Sequence, residues 1–141
     1  MSDPHRLSGT VVWLLGRAAQ RGHQHAQERL AAAGIRKWHY AVLAALAEYG
    51  AQSQADIGRR LSLDRSDMVA VLNDLQGDGY VTREPDPADR RRNIVTISEA
   101  GSRALDGFDR LIAEADDHLL ADVSAADRER LIALLQQIAH V

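Results

Sequence analysis

The stretch DPADRRRNIVTISEAG, from Asp86 to Gly101, constrains the fold more than any other part of this chain. Proline at positions 85 and 87 bars a regular ladder there and forces a turn. Before the turn, Tyr80 to Glu84 reads as a strand. After it, Asn93 to Ile97 alternates Ile94 and Thr96 against Val95 and Ile97, the period of a returning strand. Ser98 then caps a helix. The local pattern is a two-stranded hairpin whose tip carries three consecutive arginines, Arg90, Arg91 and Arg92.

The segments upstream read as helices. From Leu7 to Ala33 there is no proline, and Val11, Leu14, Leu15, Ala18 and Leu30 recur at helical spacing, with Gly34 as a C-terminal stop. Residues 1–6 are expected to be loose. A second helix spans Lys37 to Tyr49, with Trp38, Ala41, Val42, Ala45 and Leu46 inward. Ser53, three residues before Asp56, resembles a capping box and starts a short helix ending at Leu61. Leu63 fills the following turn. Asp64, with Asp67 three residues on, caps a helix to about Gly77 whose apolar face is Met68, Val71, Leu72 and Leu75. Downstream, Ser98 opens a long helix to about Val123, and Ser124 with Asp127 opens a last one ending near Ala139. The order is four helices, a hairpin and two helices. The fold expected is mainly α with a small β hairpin, a winged helix-turn-helix within one domain over residues 1–141.

A winged helix presents a helix and an arginine-bearing hairpin side by side, an arrangement suited to double-stranded DNA. The overall charge of −3 runs against that reading, so its distribution matters. Residues 1–60 carry eight Lys/Arg against four Asp/Glu, whereas residues 99–141 carry four against nine. Sixteen of the 17 basic residues are arginine, the residue that pairs bidentately with phosphate and base edges. The acidic excess lies in the C-terminal segment rather than near the arginine tip. The absence of cysteine excludes disulfides and thiolate metal sites. No apolar run is long enough for a bilayer and no leader pattern opens the chain, so a soluble cytoplasmic protein with no membrane partner is expected.

Leu63-Asp64-Arg65-Ser66 at the start of the recognition helix, Leu72-x-x-Leu75-x-x-x-Gly79-Tyr80-Val81 leading into the hairpin, and the run from Asp86 to Gly101 together resemble the MarR family of bacterial transcription regulators. The resemblance covers essentially the whole chain. It implies a homodimer, with residues 7–34 and 99–141 as dimerisation helices and 37–98 as the DNA-binding lobe. It implies a sequence-specific regulator, a repressor, acting on a pseudo-palindromic operator. Arg65, Ser66, Asp67, Val69, Ala70 and Asn73 are the expected base-facing residues in the major groove. Arg91 maps to the family's minor-groove arginine, with Arg90 and Arg92 beside it, and Ser53 and Gln54 are expected to meet phosphate. Asp86 and Asp89 are expected to hold the wing arginines in place. Asp67 has two readings, helix-cap partner or acceptor for cytosine. Arg59 and Arg60 read equally as phosphate contacts or surface charge. The middle of the recognition helix departs from many family members, with Val69 and Ala70 where they carry Thr and Arg, and Asp74 is unfavourable near phosphate. More of the binding is therefore expected from the wing.

Many proteins of this family release DNA on binding a small aromatic or phenolic anion. Trp13, Arg17, Trp38 and His39 are the candidates for such an effector site here, against the alternative that the tryptophans are core. Six histidines invite a metal reading, but His23 and His25 fall on different helix faces, and His39, His118 and Glu28 form no ligand spacing. No metal or other cofactor is expected. No glycine-rich phosphate loop, nucleophile elbow or His-Glu-x-x-His motif is present, so no enzyme is expected. The alternative reading is a winged-helix protein-interaction module that has lost DNA binding, motivated by the acidic charge and the donor-poor recognition helix.

Overall fold

The computed structural model describes residues 1–141. The elements in order are α1 (His5–Ser8), α2 (Val11–Ala32), α3 (Lys37–Tyr49), β1 (Gln52–Ser53), α4 (Gln54–Leu61), α5 (Arg65–Gly77), β2 (Val81–Asp86), β3 (Asp89–Ile97), α6 (Glu99–Leu119) and α7 (Ala125–Ala139). The fold is mainly α with one small antiparallel sheet, a winged helix-turn-helix. No helix is long and apolar enough to cross a membrane. The chain divides into a central unit, Ala26–Ile112, and a terminal unit made of Met1–His25 and Ala113–Val141.

The central unit is built on one apolar core. Val42, Leu43 and Leu46 of α3, Ile57 of α4, and Met68, Leu72 and Leu75 of α5 are fully buried, together with Val81 and Val95 of the sheet. Each such side chain contributes about 1.5–3 kcal/mol by leaving water. Polar caps fix where the helices begin. Ser53 Oγ accepts the Asp56 N–H at 3.1 Å to start α4, and Asp64 Oδ1 accepts the Asp67 N–H at 2.9 Å to start α5. At the end of α5 the Tyr80 N–H reaches back to the Leu75 carbonyl and the Gly79 N–H to Gln76, a closure that places Gly79 at φ 78°, where a side chain is strained. Gly34 closes α2 in the same way, through the Ile35 N–H to the Leu30 carbonyl.

The sheet order is β1-β3-β2, three strands where the sequence predicts two. The two-residue strand β1 pairs Gln52 with Val95 and Ser53 with Ile94, tying the start of α4 to the wing. The hairpin is also longer than expected. β2 runs through Pro85 to Asp86, and β3 starts at Asp89 rather than Asn93. Pro85 is tolerated because β2 is an edge strand, and the irregularity falls between Pro85 and Asp86. The three arginines therefore belong to β3, and only Pro87 and Ala88 form the turn.

In the terminal unit the expected first helix is broken. Gly9 follows α1, and the Thr10 hydroxyl donates to the Leu7 carbonyl at 3.0 Å, diverting the chain before α2 begins. His5 and Arg6, within the stretch 1–6 expected to be loose, are helical in α1. At the other end α6 stops at Leu119, earlier than Val123. Arg128 holds the corner that follows, donating to the Leu120 carbonyl at 2.7 Å, the Val123 carbonyl at 3.0 Å and the Asp117 carboxylate at 2.8 Å.

Gly101 marks the tightest approach in the central unit. A Cβ there would overlap the Tyr80 carbonyl oxygen and lie 2.9 Å from Ile97 Cγ1. The same carbonyl accepts the Ser98 N–H at 2.9 Å. Gly101→Ala is expected to lower stability by about 1–3 kcal/mol, the usual cost of overpacking. Urea unfolding followed by circular dichroism measures it, and a midpoint equal to wild type would contradict the packing described.

Candidate nucleic-acid interface

Of the residues singled out in the helix-turn-helix and wing, Ser53 of β1, Gln54 of α4, Arg65 of α5, and Arg91 and Arg92 of β3 line one cleft of about 620 Å³, whereas Ser66, Asp67, Val69, Ala70, Asn73 and Arg90 lie outside its lining. Each lining residue reaches it by local means. The Ser53 cap sets the start of α4, the Asp64 cap sets the start of α5, and the β1–β3 pairing sets the height of the wing.

On α5, Met68, Val71, Leu72 and Leu75 are buried, so Ser66, Val69, Ala70 and Asn73 form the outward ridge. The Ser66 hydroxyl donates to Asp64 Oδ1 at 2.9 Å. The Asp64 carboxyl is held below the usual range, first by the Asp67 backbone amide and then by the Ser66 hydroxyl. Asp67 is pushed up, first by its hydrogen bond with Asp64 and then by that residue's charge. This half-turn is thus self-partnered, while Arg65 is an exposed cation at the first helical position.

The wing aspartates anchor the chain around the tip. Asp86 Oδ1 accepts the Ala88 N–H at 2.9 Å, which shapes the turn. Asp89 Oδ1 accepts the Arg91 backbone N–H at 3.1 Å, and the same carboxylate receives Arg91 Nε at 3.1 Å and Nη2 at 3.3 Å. The Arg91 side chain is nevertheless 91% exposed. Arg90 is exposed as well. Arg92 turns toward α4, with Nη2 at 3.6 Å from Asp56 Oδ2. Asp56 also pairs with Arg59, and the Ser53 hydroxyl donates to it at 2.7 Å. The Asp56 carboxyl is held low, chiefly by Ser53 and then by Arg59 and Arg92. Arg60 stacks over the Tyr49 ring at 3.8 Å and donates to Gln52 Oε1 at 3.2 Å.

Sequence reasoning missed three members of this arrangement. Arg83 of β2 donates to Asn73 Oδ1 at 2.6 Å and to Gln76 Oε1 at 2.7 Å. Asp56, read only as a cap partner, is where Arg59 and Arg92 meet. Asp74, read as a liability, is tied to α3 because His39 Nε2 bonds Asp74 Oδ2 at 2.9 Å. His39 is 4% exposed and its Nδ1 accepts the Arg36 N–H at 3.0 Å, so Nε2 carries the proton. Only the Asp56–Arg59 pair sits at a helical i,i+3 spacing; Arg92–Asp56, Arg83–Asn73, Arg83–Gln76 and His39–Asp74 join different elements.

The candidates for an effector site divide between the units. In the terminal unit, Trp13 Nε1 donates to Asp3 Oδ2 at 2.8 Å and Arg17 Nε pairs with the same oxygen at 3.2 Å. In the central unit, Trp38 is half-buried against the core with Lys37 Nζ 4.8 Å from its ring centre. His39 there has both ring nitrogens committed to protein partners, which makes it a structural group rather than a free ligand donor. The nearest approach of histidines, His25 and His118, is a stacked ring pair with centroids 6.2 Å apart.

Comparison with known proteins gives this geometry its context. Residues 33–92, from the end of α2 through the wing arginines, match the MarR family. Over its winged helix-turn-helix this chain is similar to the MarR family. It is 29% identical to a putative transcriptional regulatory protein for the hcr operon of Thauera aromatica, over 94% of this chain and 82% of that one. It is 25% identical to the HTH-type transcriptional repressor NicR of Pseudomonas putida, over 97% of this chain and 87% of the relative. Among solved structures, the transcriptional repressor CouR bound to a 23-mer DNA duplex superposes with a TM-score of 0.87 at 26% identity, covering 99% of both chains. These likenesses support a transcription regulator of MarR type, and proteins of that family are regulators, not enzymes.

The wing ion pair makes a prediction about pH. The Asp89 carboxyl is held below its ordinary value, first by the Arg91 guanidinium and then by the Arg91 backbone amide. A carboxyl with a depressed folded-state pKa contributes above its unfolded value and loses the contribution as pH falls through the folded one. The pair is therefore intact at neutral pH and released only in acid. A carboxyl-carbon NMR titration should find Asp89 below the usual aspartate range, and Arg91→Ala should move it up. An Asp89 titration unchanged by that substitution would contradict the pairing.

Proposed function

We propose that this protein is a homodimeric repressor that binds a pseudo-palindromic operator through its winged helix-turn-helix. The outward ridge of α5 lies in the major groove, with Arg65, Ser66, Asp67, Val69, Ala70 and Asn73 toward the base edges. Arg91 enters the adjacent minor groove. Ser53, Gln54, Arg90 and Arg92 face phosphate. Half-sites are about one helical turn apart, roughly 10 bp. The observation that carries the reading is Arg91, gripped through two nitrogens by Asp89 yet almost wholly exposed. A guanidinium held in one geometry and left in water has little entropy to lose on meeting DNA. A DNA-bound relative of the same fold supports it, as does the likeness to the transcriptional repressor NicR.

The helices outside residues 37–98 serve as the dimerisation region. Support comes from apolar side chains that the terminal unit leaves in water, including Val11, Val12, Ile132, Leu134 and Ile138. An aromatic or phenolic anion acts as effector by shifting the population toward a form that does not bind DNA. The indole N–H of Trp13 and the guanidinium of Arg17 already converge on a carboxylate, that of Asp3, and an acid of this class would compete for the same donors.

Fluorescence anisotropy with the upstream region of its own gene tests the DNA assignment. Wild type should bind saturably and with a steep salt dependence. Arg91→Ala should weaken binding across sequences and reduce the salt slope by about 1 per subunit, whereas Arg65→Ala should also alter sequence preference. Equal binding by wild type and Arg91→Ala across a salt series would overturn the wing assignment. In light scattering, Ile138→Glu should shift the protein from dimer to monomer, and a monomeric wild type would overturn the dimer.

A further inference from the structure

We propose that Arg83 sets the hydrogen-bonding polarity of the recognition helix, turning the Asn73 NH₂ group outward so that Asn73 favours guanine or thymine over adenine. The proposal rests on the assignment of α5 to the major groove. Asn73 stands at the end of the outward ridge, two turns after Ser66, and Gln76 follows one turn later. Arg83 reaches both from β2, with Nη2 at 2.6 Å from Asn73 Oδ1 and Nε at 2.7 Å from Gln76 Oε1.

The chemistry of the pair leaves no choice of orientation. A guanidinium has only donors, so the atom that meets it must be the amide oxygen. Each carboxamide therefore turns its oxygen toward Arg83 and its NH₂ group outward. A free asparagine reads adenine by using both ends of its amide at once, accepting from N6 and donating to N7. One of the two lone pairs of Oδ1 is engaged by Arg83, and the amide so turned no longer aims its oxygen and its NH₂ together at one adenine edge. The outward N–H groups find two acceptors on guanine, O6 and N7, and one on thymine, O4; on adenine they find N7 but meet the N6 amino group as donor against donor, as they meet that of cytosine. Arg83 is half-buried where it makes both bonds, so the two amides are held from one point. It is a positioning residue, acting on base choice through Asn73.

The test is selection of binding sites from a randomised duplex library by the full-length protein, with wild type, Asn73→Ala, Arg83→Met and Asn73→Asp in parallel. Thermal unfolding of each variant accompanies it. Asn73→Ala identifies the operator position that Asn73 reads, as the one whose base preference disappears. Wild type is expected to select guanine or thymine there. Arg83→Met, similar in length and without donors, frees the amide and should raise adenine at that position about tenfold relative to wild type, with other positions unchanged. Asn73→Asp can still pair with Arg83 but has no N–H to offer, so the guanine or thymine preference should be lost while the fold holds. Three results would overturn the proposal: a folded Arg83→Met with the wild-type preference, a uniform loss of affinity across all positions, or adenine already selected by wild type. An Asn73→Ala variant that changes no position would overturn it too. A wild type that enriches no sequence would instead overturn the DNA-reading assignment on which the proposal stands.

Discussion

The wing has a defined direction because its two ends are clamped to each other at the junction of α5, the hairpin and α6. The Tyr80 carbonyl takes the Ser98 N–H, and the Ser98 hydroxyl donates to the Gly79 carbonyl at 2.6 Å while accepting the Gly101 N–H at 3.0 Å. One serine thus ends β3, caps α6 and grips the closure of α5. Gly79 supplies the left-handed turn that makes its carbonyl available, and Gly101 supplies the space that lets α6 start against Tyr80. Beyond this clamp the hairpin needs only the β1 pairing to be set relative to the helix-turn-helix. Everything proposed for Arg91 and Arg83 depends on that placement.

The electrostatics of the central unit explain how a chain of net charge −3 can meet a polyanion. Its key arginines are not isolated cations. Arg91 leans on Asp89, and Arg59 and Arg92 share Asp56. These carboxylates cost some positive potential and return geometry, because a long side chain held in place gives up less freedom on binding. The depressed carboxyls of Asp56 and Asp89 are the mark of that arrangement. Asp74 fits the same pattern. Its charge is engaged by a histidine proton rather than left bare on the helix.

What could be read from the residues alone follows from the range of the interactions. The caps at Ser53, Asp64 and Ser124 are closed within three residues, and each lies where a local rule puts it. The stops at Gly34 and Gly79 are equally local. The wing was legible as a hairpin, but its length was not. A rule that treats Pro85 as a strand breaker does not know that β2 has a free edge. Strand β1 is two residues long and owes its existence to β3, more than forty positions away in sequence. The bonds of Arg83 to Asn73 and Gln76, of His39 to Asp74 and of Arg92 to Asp56 were invisible for the same reason, since each joins elements whose approach is decided by the core. The site residues were nominated by type and by resemblance. The structure adds which of their atoms are already spoken for.

Whether the wing tip faces a minor groove beside the recognition helix is tested most directly with a chemical nuclease. The chain has no cysteine, so Ala88→Cys at the turn offers a single thiol for an iron–EDTA tether. Hydroxyl radicals released in a minor groove cut the two strands at positions offset toward their 3′ ends. Two such clusters are expected, symmetric about the operator centre and just outside the major-groove half-sites. Cleavage offset toward the 5′ ends, or scattered evenly along the duplex, would contradict the minor-groove placement.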